Sequence, residues 1–134
     1  MRQEIVYIYR GNLVNSQIQG FGEFKWADGR HYIGDFVNSQ MHGNGKLSWF
    51  EPTKSQSIPR NGRKAVNTVY KGQLTASVIH GRGTLTKANG DTYIGEFENG
   101  LFNGEGEYKW AGGNLKYKGQ YRNGQMHGYG VLHN

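Results

Sequence analysis

The chain of 134 residues has no cysteine, which excludes a disulfide framework and a cysteine-ligated zinc site and fits an intracellular, cytoplasmic setting. It has only two prolines, Pro52 and Pro59, so its many glycines belong to neither a collagen repeat nor a Pro/Gly linker. No apolar run approaches the ~18 residues of a membrane-spanning helix. The short apolar stretch Ile5-Val6-Tyr7-Ile8-Tyr9 behind Met1-Arg2-Gln3-Glu4 does not make a signal peptide. Leu, Ile, Val and Phe together supply only about a fifth of the residues, so a thick aliphatic core is not expected. Aromatic residues, at 13%, nevertheless give the chain ring surface to bury, and it is expected to fold. A net charge of +6 suits nucleic acid, anionic lipid or an acidic protein and selects none of them.

What the chain has in excess is glycine, 22 residues, and these are periodic. An aromatic residue, a glycine two positions on, a bulky apolar residue two further, and then Gly-x-Gly recur five times. The copies begin at Tyr9, Tyr32, Tyr70, Tyr93 and Tyr117, and the first glycine of the pair always lies 11 residues after the tyrosine. The steps between copies are 23, 38, 23 and 24 residues. The long step holds an insertion, and the last carries one extra residue near Gly112-Gly113.

Each copy reads as a β-hairpin. Its turn is Asn15-Ser16, Asn38-Ser39, Ala76-Ser77, Asn99-Gly100 or Asn123-Gly124. Asn-Gly is the preferred two-residue hairpin turn because both positions need positive φ; the other three turns are assigned by equivalence. Counting outward without interruption, Phe97 is predicted to face Phe102, Gly95 to face Gly104 and Tyr93 to face Gly106. In the first copy the same count sets Leu13 opposite Ile18, Gly11 opposite Gly20 and Tyr9 opposite Gly22. Each tyrosine ring is then expected to shield a cross-strand glycine. Alternation puts Ile18, Phe24 and Trp26 on an aromatic, glycine-lined face and Gln17, Gln19, Glu23 and Lys25 on a polar one. Ala27-Asp28-Gly29 and Ala88-Asn89-Gly90 are predicted three-residue turns between copies. The expectation is an all-β fold: an elongated, twisted, single-layer antiparallel hairpin meander of about ten strands, one domain over residues 1–134.

The segment Tyr93-Ile94-Gly95-Glu96-Phe97-Glu98-Asn99-Gly100-Leu101-Phe102-Asn103-Gly104-Glu105-Gly106 resembles the MORN (membrane occupation and recognition nexus) repeat, and the resemblance covers about residues 9–132. Ser16, Ser39 and Ser77 depart from it at the turn glycine, and the second copy lacks the closing Asp/Asn-Gly. The resemblance implies a single-layer sheet with a groove along its aromatic face. It also implies interaction work in cytoskeletal, ciliary or membrane-junction assemblies.

Residues 51–69 interrupt the repeat as an inserted basic loop, in which Lys54, Arg60, Arg63 and Lys64 against Glu51 supply half the net charge. These four are a candidate anion- or partner-contacting set, and the bland reading is a tolerated mobile insertion. Ile5 to Tyr9, apolar on both faces, is expected to be an edge strand open to pairing. At the other end Asn134 falls inside the fifth hairpin, with no polar cap before it. From both ends follows the expectation that an edge, or the groove, is covered by a partner or a second copy.

No catalytic, metal or cofactor site is expected. His42, His80 and His127 share one repeat position, and two strand spacings, ~9.6 Å, separate neighbouring copies, too far for one zinc ion. Carboxylates such as Glu96, Glu98, Glu105 and Glu107 recur on the polar face among lysines. Lys25, Lys46 and Lys109 lie opposite the aromatics, so direct nucleic-acid binding is not expected. The expected function is a non-enzymatic scaffold that binds partner segments along the groove and edge strands, with a membrane adaptor for anionic phospholipids as the alternative. The groove is assigned to Tyr9, Phe24, Trp26, Tyr32, Phe36, Trp49, Tyr70, Tyr93, Phe97, Phe102, Tyr108, Trp110, Tyr117 and Tyr121. Trp26, Trp49 and Trp110, at equivalent positions, are the expected anchors.

Overall fold

The computed structural model describes residues 7–50 and 67–134. They form one ten-stranded antiparallel sheet whose order in space is the order in sequence. The strands are β1 (Tyr7–Val14), β2 (Gln17–Trp26), β3 (His31–Val37), β4 (Gln40–Phe50), β5 (Asn67–Thr75), β6 (Val78–Thr86), β7 (Thr92–Glu98), β8 (Leu101–Lys109), β9 (Lys116–Arg122) and β10 (Gln125–His133). Each strand packs chiefly on its sequence neighbours, which leaves β1 and β10 as the two edges. The expected meander is the observed fold.

All five hairpin turns take positive φ at both central residues, the glycine-free ones included: 52° and 66° at Asn15-Ser16, 50° and 68° at Ala76-Ser77. The serines are not mere substitutes for glycine. The Ser39 hydroxyl accepts the Ile18 N–H at 3.0 Å, and the Ser77 hydroxyl accepts the Met41 N–H at 3.1 Å. Each turn thereby ties itself to the preceding hairpin. Between copies, Trp26 and Arg30 close one predicted three-residue turn, and Lys87 and Asp91 the other. The extra residue of the fourth copy widens its connection to Trp110–Leu115.

The uninterrupted register is corrected. Near the turn it holds, with Phe97 opposite Phe102 and Leu13 opposite Ile18. Beyond that it slips by two residues: Gly95 faces Gly106 and Tyr93 faces Tyr108, while Gly11 faces Gly22 and Tyr9 faces Phe24. On β8, Asn103, Gly104 and Glu105 stand against Glu96 alone, a bulge that every hairpin repeats. The first glycine of the pair sits in it with positive φ, +96° at Gly104. Glu96 accepts the Glu105 N–H there at 2.8 Å, as Gln73 does for Arg82 and Gln120 for Tyr129. Two added residues preserve the alternation, so the two faces are as predicted although the partners are not. Along β9 the burial alternates strictly, with Tyr117, Gly119 and Tyr121 in and the residues between them out.

The remaining strand glycines are bare because a ring lies over them. A Cβ on Gly106 would stand 2.4 Å from Cε1 of Tyr93, and one on Gly45 would collide with Tyr32 in the same way. The hydroxyl beyond each ring donates to the carbonyl three residues on, Tyr93 to Glu96 at 2.7 Å and Tyr32 to Asp35 at 2.8 Å. Ring and glycine together form a thin core, with Tyr32, Tyr70 and Tyr93 all but inaccessible.

Candidate interaction surface

The aromatic face is less open than a groove of fourteen exposed rings. Tyr32, Phe36, Tyr70, Tyr93, Phe97, Tyr108, Tyr117 and Tyr121 are buried by the sheet's own side chains. They pack edge to face, Tyr93 on Phe97 at 5.1 Å and Tyr117 on Tyr121 at 5.3 Å. Tyr9, Phe24, Trp26, Trp49, Phe102 and Trp110 are half-buried against that layer and keep accessible surface. The face is therefore a closed floor with a half-open rim, and the three tryptophans belong to the rim.

The rim reaches the last repeat. Phe102, Tyr108, Trp110, Tyr121, Met126 and Lys87 line a shallow cleft there. Trp110 leans on Tyr108 at 4.8 Å, and the Lys87 ammonium lies 5.8 Å from the Tyr108 ring centre. The Tyr121 hydroxyl is buried without a hydrogen-bond partner among the described residues. Its repeat position holds Phe36, Leu74 and Phe97 in other copies, so the hydroxyl is an addition that the fold does not use. At the other end Arg30 stacks on Trp26 at 4.7 Å and is held by Asp28 at 2.9 Å.

Asp91 was not singled out from the sequence. It is buried, accepts the Tyr108 hydroxyl at 2.7 Å and the Ala111 N–H at 2.7 Å, and so joins two successive connections between repeats. The signal was an aspartate directly after Ala88-Asn89-Gly90, on the side where a hydroxyl-bearing ring, Tyr108, follows in the next hairpin. Burial works against its charge, yet those two bonds, with the Lys87 charge and Asn89, hold its carboxyl below the ordinary value. Burial pushes the Tyr32, Tyr70 and Tyr121 hydroxyls up to about 12. It raises those of Tyr93 and Tyr108 as well. On the polar face the His31 ring, 2.7 Å away, lowers the Glu23 carboxyl.

The histidines that share a repeat position are structural. His42 Nδ1 accepts the Ala76 N–H at 3.1 Å and His80 Nδ1 accepts the Asn99 N–H at 3.2 Å, so each caps the next hairpin's turn. His127, in the last hairpin, lies 3.3 Å from Arg122 instead. Among the described residues no cluster of three or more histidines and carboxylates is close enough to hold a metal ion. The insertion proves shorter than 51–69: Asn67, Thr68 and Val69 are the start of β5, opposite Phe50, Trp49 and Ser48. Lys54, Arg60, Arg63 and Lys64 lie outside the described residues, as do Ile5 and Val6 of the expected edge strand, which is described from Tyr7.

A ten-stranded meander built from five tyrosine-over-glycine hairpins defines an all-β repeat protein. The MORN repeat profile matches residues 9–29, 32–50, 70–92, 93–115 and 117–133, and the chain belongs to the MORN repeat family. The family is a non-enzymatic repeat module of protein and membrane interactions. The chain is also similar to alsin from Rattus norvegicus and from Mus musculus, each 38% identical over 69 residues, and to alsin from Homo sapiens at 36%. The matched stretch is 48% of this chain and 4% of each alsin, so the chain spans a small part of those relatives' length.

Proposed function

We propose that the chain is a scaffold, a structural or accessory subunit of a larger intracellular assembly, of cytoskeletal or ciliary type by its family likeness. Its work is to hold a segment of a partner protein on the rim of the aromatic face. The observation that carries this reading is the shallow cleft that Phe102, Tyr108, Trp110 and Lys87 line on the rim. Half-buried aromatics such as Phe102 and Trp110 are the residue type that supplies anchors at interfaces. A photo-crosslinking residue at Lys87, compared with one at Glu105 on the opposite face, tests it in the native assembly. Capture of another protein from Lys87 alone supports the reading, and equal capture from both positions overturns it.

The charge of residues 51–69 favours one second reading, a peripheral adaptor for anionic phospholipid surfaces. Flotation with anionic vesicles, before and after Lys54, Arg60, Arg63 and Lys64 are changed to Gln, separates the two. These substitutions are preferable to deleting 51–69, which would remove the first residues of β5.

A further inference from the structure

The chain contains the same junction four times: the second strand of one hairpin pairs with the first strand of the next, and the next turn reaches back. At the junction of β4 with β5, the Ser77 N–H donates to the Met41 carbonyl at 2.8 Å. The Met41 N–H donates to the Ser77 hydroxyl, and the Ala76 N–H donates to His42 Nδ1. At the junction of β2 with β3 the turn is Asn38-Ser39, and it makes the corresponding bonds to Ile18 and Gln19.

The two edges carry the halves of one more such junction. β10 presents Met126-His127 at the place of Met41-His42, the same dipeptide, while β1 ends at Asn15-Ser16, the same turn as Asn38-Ser39. Burial gives the same indication independently. Leu13 occupies the position of Phe36, Leu74 and Phe97, which are at most 4% exposed, yet Leu13 itself is 64% exposed. Leu132, at the position of Leu47 and Tyr108, is 63% exposed, and Met126 is 47% exposed. Each edge thus keeps, exposed, the apolar residues that interior copies pack against a neighbour.

We propose that β10 of one copy takes up the first hairpin of a second copy, head to tail, in the register of the internal junctions. That register puts Gly130 opposite Gly11, Leu132 opposite Tyr9 and Val131 opposite Arg10. The Asn15 and Ser16 N–H groups then meet His127 Nδ1 and the Met126 carbonyl. No pair of like charges is brought together, since Arg10 meets Val131 and Ile8 meets His133. The interface is heterologous, so it adds copies one after another rather than forming a symmetric dimer.

Sedimentation of the full chain over a range of concentrations, together with two edge variants, tests this. Leu13→Lys blocks β1 and Leu132→Lys blocks β10, each at an exposed position. The unmodified chain is expected to grow past the dimer as concentration rises. Either variant alone is expected to stay monomeric, and an equal mixture of the two to give a dimer and nothing larger. An unmodified chain that stays monomeric up to about 1 mM, too weak to count as specific association, overturns the proposal, as does a variant that dimerises with itself. Should a lysine disturb folding, the absence of native cysteine offers a second route. Arg10→Cys and Val131→Cys chains, mixed under oxidation, are expected to join to each other; joining no better than Arg10→Cys with Gln125→Cys overturns the register.

Discussion

The carboxylate of Glu96 accepts the N–H of Glu105 at 2.8 Å across a bulge that Gly104 makes possible with a φ of +96°. The bond and the glycine are one device, because a Cβ on Gly104 would collide with the same carboxylate. Gly104→Ala is therefore expected to cost about 1–3 kcal/mol in urea unfolding. Glu96→Gln is expected to stay within about 0.5 kcal/mol of the parent, since Gln73 and Gln120 already do this work in other copies. A neutral Gly104→Ala would refute the bulge.

Among the described residues Asp91 is the acceptor for two groups, the Tyr108 hydroxyl and the Ala111 N–H. Asp91→Ala leaves both without an acceptor and is expected to destabilise by about 1–3 kcal/mol. Asp91→Asn keeps one carbonyl acceptor and is expected to lose less. Thermal unfolding of the two variants in parallel checks the order.

Tyr121 gives the opposite sign. Its buried hydroxyl has no partner among the described residues, so Tyr121→Phe is expected to stabilise the isolated chain by about 1 kcal/mol. A loss of stability in denaturant titration would mean that the group is bonded after all.

The tyrosines also set a limit at high pH. The folded-state values of Tyr32, Tyr70 and Tyr121 are raised to about 12 from the ordinary 10. The folded state therefore holds protons that the unfolded chain releases first. Their contribution is complete below pH 10 and is lost as pH rises through about 12. Tyrosinate absorbance is expected to rise together with loss of the sheet signal in circular dichroism. Full ionisation of all nine tyrosines with the sheet intact would contradict this.

Ala76 is the least suited of the turn residues, held at φ +50° with no side chain that favours that region. Ala76→Asn is expected to raise stability by about 1 kcal/mol in the same urea titration. Ser77 is a different case, because Ser77→Gly would relieve the backbone and lose the bond to Met41.

The hairpins, the strand order, the turn positions and the two faces were legible in the sequence, because a period of two and five in-phase copies leave one arrangement. The register beyond the turn was not. The bulge adds two residues to one strand and leaves the alternation unchanged, so Tyr93 against Tyr108 and Tyr93 against Gly106 produce the same pattern of faces. Alternation likewise tells which residues turn inward but not how far neighbouring rings close over one another. For that reason Tyr70 and Trp110 stood together as groove residues, although one proves buried and the other lies on the rim. Asp91 escaped notice because its partners are 17 and 20 residues away across a junction between repeats.

The central claim is that the half-buried rim of the aromatic face, and not the polar face, holds the partner. Co-purification of the native assembly with Trp110→Ala, set beside Lys109→Gln on the other face, tests it most directly. Provided both variants unfold at the temperature of the parent, the partner is expected to be lost with Trp110→Ala and kept with Lys109→Gln. Retention by Trp110→Ala, or equal loss from both, would contradict the account.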